Sequence, residues 1–229
     1  MVAFGETCTF SVKKAHEAQL RLSKQIILED RLPDKIHLVA GVDVAYSKCT
    51  SIGAVAVLDY DSLTLVESQT ALCKTPIPYM PTLLSFREIP PAILTIKRLR
   101  TRPDLLLVDG QGFAHPYHCG FASHLGLVMG KPTIGVAKSR LFGEAENVKA
   151  EENVAFLRHK DEIVGAVVTT RRRSKPVYVS VGHMISLKTA IGIVRKCTCS
   201  NRIPEPLLKA HEIAAAEKRK IHIQQASNR

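Results

Sequence analysis

Apolar positions Val12, Ala15, Leu22 and Ile26 recur at near-helical spacing across residues 11–32, which predicts a helix halted by Pro33-Asp34. The pattern then shortens to strand-like runs: HLVAGVDVAY (37–46), IGAVAVLDY (52–60) and LTLVESQTAL (63–72). Short polar turns separate them, the mark of an antiparallel meander. PIPYMP (76–81) holds too many prolines for a helix or an inner strand. A helix is expected over 82–101, broken or kinked at Pro90-Pro91.

The second half follows another rhythm. LLLVD (105–109) is a short apolar strand, followed by a glycine-rich loop, a helix at about 117–129 and a second buried strand, PTIGVAK (132–138). That is a β-α-β unit with two parallel strands. EIVGAVVTT (162–170) and PVYVSVG (176–182) flank a basic turn, and two helices follow from about Ser186 and Pro206. Proline is tolerated at the first helical position. A meander running into a parallel unit predicts an α/β fold with a mixed central β-sheet flanked by helices, in a single domain spanning 1–229. The chain has no internal repeat, low-complexity tract or linker-like stretch.

Composition narrows the partners. Aromatics make up 5% of the chain and Trp is absent, so aliphatic side chains must fill the core. Lys plus Arg total 32 against 21 Asp plus Glu, a net charge of +11. Such a chain attracts polyanions, although a solvated basic surface gives the same count. The six cysteines, at 8, 49, 73, 119, 197 and 199, include no Cys-x-x-Cys pair, which disfavours a zinc site and suits reduced thiols in a cytoplasmic protein. The start MVAFGETCTF lacks a basic stretch followed by a long apolar run, and no segment has the length of a membrane span. A cytoplasmic monomer is the expectation.

Three carboxylates occupy costly places. Asp43 lies within the apolar run LVAGVDVAY, Asp109 ends LLLVD, and Glu88 follows LLSFR. A carboxylate in or at the end of a buried strand needs a partner or a metal. Singly, each reads equally as a cap or a salt-bridge partner, and Asp109 before Gly110 as a turn residue. If their strands are neighbours, Asp43 and Asp109 face one crevice, and oxygen ligands suit Mg²⁺ or Mn²⁺ better than zinc. Lys138 follows its strand as Asp109 ends its own, so it can meet a phosphate or orient water there; a surface lysine is the plain alternative. The loop DGQGFAHP (109–116) supplies Gly110 and Gly112, which let a ligand approach the backbone, and His115, which is either structural or near a phosphate. His183 in SVGH (180–183) is a metal or phosphate candidate. The turn TTRRRSKP (169–176) and the cluster EKRK (217–220) are phosphate contacts or solvated charge.

The runs GVDVAY (41–46), PYMPTLLSFREIP (78–90), LLLVDGQGFAHP (105–116), ASHLG (122–126), PTIGVAKS (132–139), SVGHMISLKTA (180–190) and RIPEP (202–206) together resemble the endonuclease V family, in its order and roughly its spacing. The resemblance covers about residues 12 to 215 and implies a ribonuclease H-like fold, Mg²⁺ dependence with Mn²⁺ as a substitute, and hydrolysis of the second phosphodiester bond 3′ to a hypoxanthine nucleotide in DNA. It casts Asp43 and Asp109 as metal ligands and Glu88, Lys138 and His183 as further catalytic residues. It casts Tyr79 as a wedge and puts Thr82 near the base pocket; the glycine-rich loop itself offers the backbone at Gly110 and Gly112 to read the base, with His115 a further substrate-binding candidate. Thr82 stands where many members carry Gly, and Val181 where many bacterial ones carry Pro. The chain lacks the extensions of animal members, so a prokaryotic or archaeal source is expected. Two alternatives remain at this stage: an endoribonuclease acting on inosine in RNA, and a non-catalytic nucleic-acid-binding module.

Overall fold

The structure is a computed structural model that describes residues 10–146 and 153–227; Cys8 and most of the opening segment lie outside them. After α1 (Val12–Ser23) come β1 (Leu38–Ser47), β2 (Thr50–Asp59) and β3 (Leu65–Lys74), the expected antiparallel meander. α2 (Leu84–Ile96), β4 (Leu105–Asp109), α3 (Phe121–Met129) and β5 (Thr133–Ala137) follow. β4 pairs in parallel with both β1 and β5. Then come β6 (Glu144–Ala145), β7 (Val154–His159), β8 (Glu162–Val168), β9 (Val177–His183), α4 (Leu187–Lys196) and α5 (Glu205–Ser227). They complete one mixed sheet in the order β3-β2-β1-β4-β5-β9-β8-β7-β6. Among the described residues no helix is long and apolar enough to cross a membrane.

Alternation along the central strands divides the core in two. Val39, Leu105 and Leu107 pack with Ala190, Ile191, Leu207 and Ala210 of α4 and α5. Ala40, Val42, Leu106 and Val108 pack on the other face with Ile89, Ala92, Phe121 and Leu125 of α2 and α3. Burial on both faces explains why these strands read as continuous apolar runs.

Two sequence expectations give way in the folded chain. α1 ends at Ser23, short of Pro33, because the following segment docks on the end of β9: Met184 N donates to the Ile27 carbonyl at 2.7 Å and Arg31 N to the Met184 carbonyl at 3.1 Å. Pro90 and Pro91 lie within α2 without ending it. Gly53 of β2 has no Cβ, and one built there would sit 2.4 Å from the Pro91 carbonyl, so strand and helix pack in direct contact. The strands β6 and β7 were not anticipated; they extend the sheet through pairing with β8. Ser186 caps α4 as the sequence suggests, accepting from Thr189 N at 3.2 Å. The described cysteines are free, and burial pushes the Cys119 and Cys197 thiols up to about 12.

α5 rests on β1 through a similar close approach. A Cβ on Gly41 would lie 2.0 Å from the Pro206 carbonyl oxygen, which is backbone and cannot swing aside. Gly41→Ala should therefore force the start of α5 away from the sheet and lower stability by roughly 1–3 kcal/mol. Chemical denaturation of both proteins checks this; equal midpoints would mean that α5 tolerates the shift.

Candidate active site

The parallel register of β1 and β4 puts Val42 opposite Val108, so the next residues, Asp43 and Asp109, stand side by side. By strand alternation both carboxylates emerge on the face covered by α5. There His211 Nδ1 lies 2.8 Å from Asp43 Oδ2. One ligand atom each from Asp43, Asp109 and His211 fall within 4.8 Å of one another. From the neighbouring strand, Lys138 Nζ donates to Asp109 Oδ2 at 2.5 Å. Asp43 Oδ1 also accepts from Val44 N at 2.8 Å.

Glu88 enters from the opposite layer, on α2, and is buried. Tyr46 on β1 donates to its Oε1 at 3.1 Å, and the Arg87 guanidinium sits 4.0 Å over the Tyr46 ring. Burial and then the Asp43 and Asp109 charges hold the Glu88 carboxyl well above its ordinary range, against the lowering effect of the Tyr46 hydrogen bond. Asp109 is raised too, by burial first and the Asp43 carboxylate second, with Lys138 opposing. Three carboxylates that repel one another in a desolvated place are a group a cation would relieve. Two adjacent aspartates with an imidazole at ligand distance are a donor set that can hold a divalent cation.

A cleft of about 290 Å³ opens beside this cluster, lined among others by Tyr79, Thr82, Asp109, Gly110, His115 and Lys138. Tyr79 is 68% exposed at its rim. His115 is buried; its Nε2 hydrogen-bonds the Thr82 carbonyl at 2.9 Å, and burial depresses its pKa to about 4, which leaves the ring neutral. A larger cleft of about 790 Å³, between Arg140–Glu146 and Arg158–Lys160, contains none of the clustered carboxylates.

Two candidates lie elsewhere. His183 pairs with Thr133 at the start of β5, whereas Lys138 follows the other end of that strand. Its Nδ1 accepts from Ile27 N at 3.2 Å, so the ring ties down the segment after α1. Gly112 does not line the cleft. Its N–H donates to Ser180 Oγ at 2.8 Å, and a Cβ there would meet the Val181 carbonyl at 2.1 Å, so the glycine serves the packing of the loop against β9. His211 was missed from the sequence. The small residues Ala210 and Ala214 mark the buried stripe of α5, but nothing local tells that the next residue along faces Asp43.

A family model for endonuclease V matches residues 20–212. The chain belongs to the endonuclease V family. Endonuclease V of the archaeon Thermofilum pendens is 46% identical over 90% of this chain and 89% of its own length. The crystal structure of the Streptomyces avermitilis endonuclease V superposes with a TM-score of 0.87 at 36% identity, covering 93% of this chain and 95% of that one. Endonuclease V of Ciona intestinalis, solved in complex with a 24mer DNA containing an inosine followed by a ribo-adenosine, gives a TM-score of 0.82 at 34% identity over 92% and 98% of the two chains. An endonuclease V is a nuclease, and this one has the ribonuclease H-like sheet of its solved relatives.

The electrostatics of the cluster predict a stability effect. Glu88 and Asp109 have folded-state pKa values above their ordinary ones, so their contribution to stability is full below the normal carboxylate range and is lost as pH rises through the raised values. Without divalent ions, Glu88→Gln should be more stable than wild type at neutral pH by roughly 0.5–2 kcal/mol. The gain should shrink as pH falls toward about 4. Denaturation midpoints at both pH values measure it; a Gln variant that is no more stable at neutral pH would contradict the charge strain.

Proposed function

We propose that this endonuclease V, acting through a single catalytic domain, hydrolyses the second phosphodiester bond on the 3′ side of a hypoxanthine nucleotide in DNA, with Mg²⁺ and alternatively Mn²⁺ as its cofactor. The observation that supports the reading is the cluster of Asp43, Asp109 and His211, coupled electrostatically to Glu88, together with the cleft that Asp109 and Lys138 line with Tyr79. Asp43 and Asp109 are the metal ligands, and His211 joins them. A divalent cation bound by these residues would supply water activation and charge neutralisation at the phosphate. Lys138, on Asp109, offers a positive charge to the phosphate from the strand next door. Glu88, steadied by Tyr46, closes the cluster from the α2 side.

Substrate recognition falls to the other wall. Tyr79 sits between Pro78 and Pro81, a stiff segment that can press an aromatic ring into a base stack. Hypoxanthine pairs poorly with thymine, so it is more easily turned out than a normal base. The cleft at Thr82, Gly110 and His115 receives it. The turn carrying Arg171, Arg172 and Arg173 precedes β9, whose Tyr178 pairs with Ala137, so it lies at the Lys138 end of the sheet. That position suits contacts to the phosphate backbone. A second reading, inosine followed by a ribonucleotide as the substrate, is favoured by the ribo-adenosine in the DNA bound to the Ciona relative.

Matched inosine-containing DNA, RNA and mixed oligonucleotides, incubated with protein and Mg²⁺, test the function when the cut is mapped. Cleavage at the second bond 3′ to inosine in DNA is expected, and none in EDTA. Asp43→Ala and Asp109→Ala should each lose at least about a hundredfold in rate. Both should keep most of their affinity, which rests on phosphate contacts. Added Mg²⁺ should raise the melting temperature of wild type and not that of Asp109→Ala. Full cleavage in EDTA refutes the metal assignment, and preferential cutting of RNA favours the second reading.

Neutralising Arg171, Arg172 and Arg173 together should flatten the slope of log affinity against log salt by up to about 2–3. Binding isotherms at several salt concentrations give the slope; an unchanged value would leave the turn facing solvent.

A further inference from the structure

Thr82 has φ +67°, a left-handed conformation that a β-branched residue rarely adopts. Its neighbours hold it there. The Thr82 carbonyl accepts from Gln19 Nε2 at 2.9 Å and is hydrogen-bonded to His115 Nε2 at 2.9 Å. The Thr82 hydroxyl is hydrogen-bonded to His16 Nε2 at 3.0 Å, and Tyr117 stacks on His16 with ring centroids 4.2 Å apart. Gln19 does more than pin Thr82: the same Nε2 donates to the Cys119 carbonyl at 3.0 Å. Thr82 and Gly120, which follows Cys119, both line the same cleft. One amide thus joins the two loops that form it.

Gln19 is fully buried on a helix face where a packing residue would ordinarily be apolar. Its Oε1 is buried without a hydrogen-bond partner among the described residues, so the amide is present for its donors and at some cost. His16 and Gln19 also precede the stretch 20–212 matched by the family model.

We propose that His16 and Gln19 of α1 are positioning residues that lock Thr82 in its left-handed conformation, and thereby fix the Tyr79 loop against the 110–120 loop in the geometry that discriminates hypoxanthine from normal bases. The proposal rests on the reading of this cleft as the base site. Losing the donors frees Thr82 to relax, the Tyr79 loop moves, and discrimination falls. A glycine at 82 takes up a left-handed conformation without help, so it should compensate for a lost latch.

The experiment has two arms. The chain has no tryptophan, so Tyr79→Trp gives a single tryptophan that can be excited apart from the remaining tyrosines, and its anisotropy reports loop motion without any nucleic acid. In that background Gln19→Leu, which keeps the volume and removes both donated bonds, should lower the anisotropy, as should His16→Ala. Adding Thr82→Gly to Gln19→Leu should restore it in large part. In the second arm, with Tyr79 intact, Gln19→Leu should reduce the ratio of affinities for inosine-containing and undamaged duplex by roughly fivefold to tenfold, with partial rescue by Thr82→Gly. Unchanged anisotropy, unchanged discrimination or absence of rescue each overturns the latch; melting curves identify a variant that fails to fold, and His16→Ala then decides. If wild type itself shows no preference for inosine, the reading of the cleft fails, and the anisotropy arm still decides whether α1 holds the loop.

Discussion

The parallel pairing of β1 with β4 is the constraint on which the site depends. It sets Asp43 and Asp109 side by side at the carboxyl ends of two buried strands. Open α/β sheets form their ligand sites at such ends. Burial and the nearby Asp43 charge, with little solvent to screen it, raise the cost of ionising Asp109 and Glu88. The surrounding residues respond to that problem. Lys138 meets Asp109, His211 meets Asp43, and Tyr46 donates to Glu88. Charge that opposes folding is retained where it can hold a cation, the usual tension between stability and activity.

The cluster draws on both faces of the sheet. α5 supplies His211 from one side and α2 supplies Glu88 from the other, and each helix approaches its strand at a glycine. Gly41 admits the Pro206 carbonyl and Gly53 admits that of Pro91. Since these contacts are backbone to side-chain-free backbone, they fix the height of each helix above the sheet with little room for adjustment. A shift of either helix would carry a functional side chain with it.

The recognition wall is built differently. It consists of loops, stiffened by proline in one and by close glycine packing in the other, and joined through buried hydrogen bonds to α1. Loops on a rigid scaffold are where binding specificity concentrates. Thr82, strained and held from three directions, is the place where the two loops and the helix meet.

Much was legible from local pattern. Strand-like runs separated by short polar turns marked the meander, short apolar runs bounded by a glycine loop marked the parallel unit, and burial cost singled out Asp43 and Asp109. Lys138 followed from the same logic, because a β-α-β connection forces its strand parallel to that of Asp109. Other features depended on distance. The helical spacing of residues 24–32 lost to backbone pairing with Met184, α2 ran on through its two prolines, and His183 proved to face the segment after α1. His211 reaches Asp43 across 168 positions of chain only because Gly41 lets α5 settle on β1. Periodicity and burial cost are properties of a few neighbouring residues and can be read in order along the chain. Which histidine meets which carboxylate is decided by the register and height of packed layers, which no local window of sequence contains.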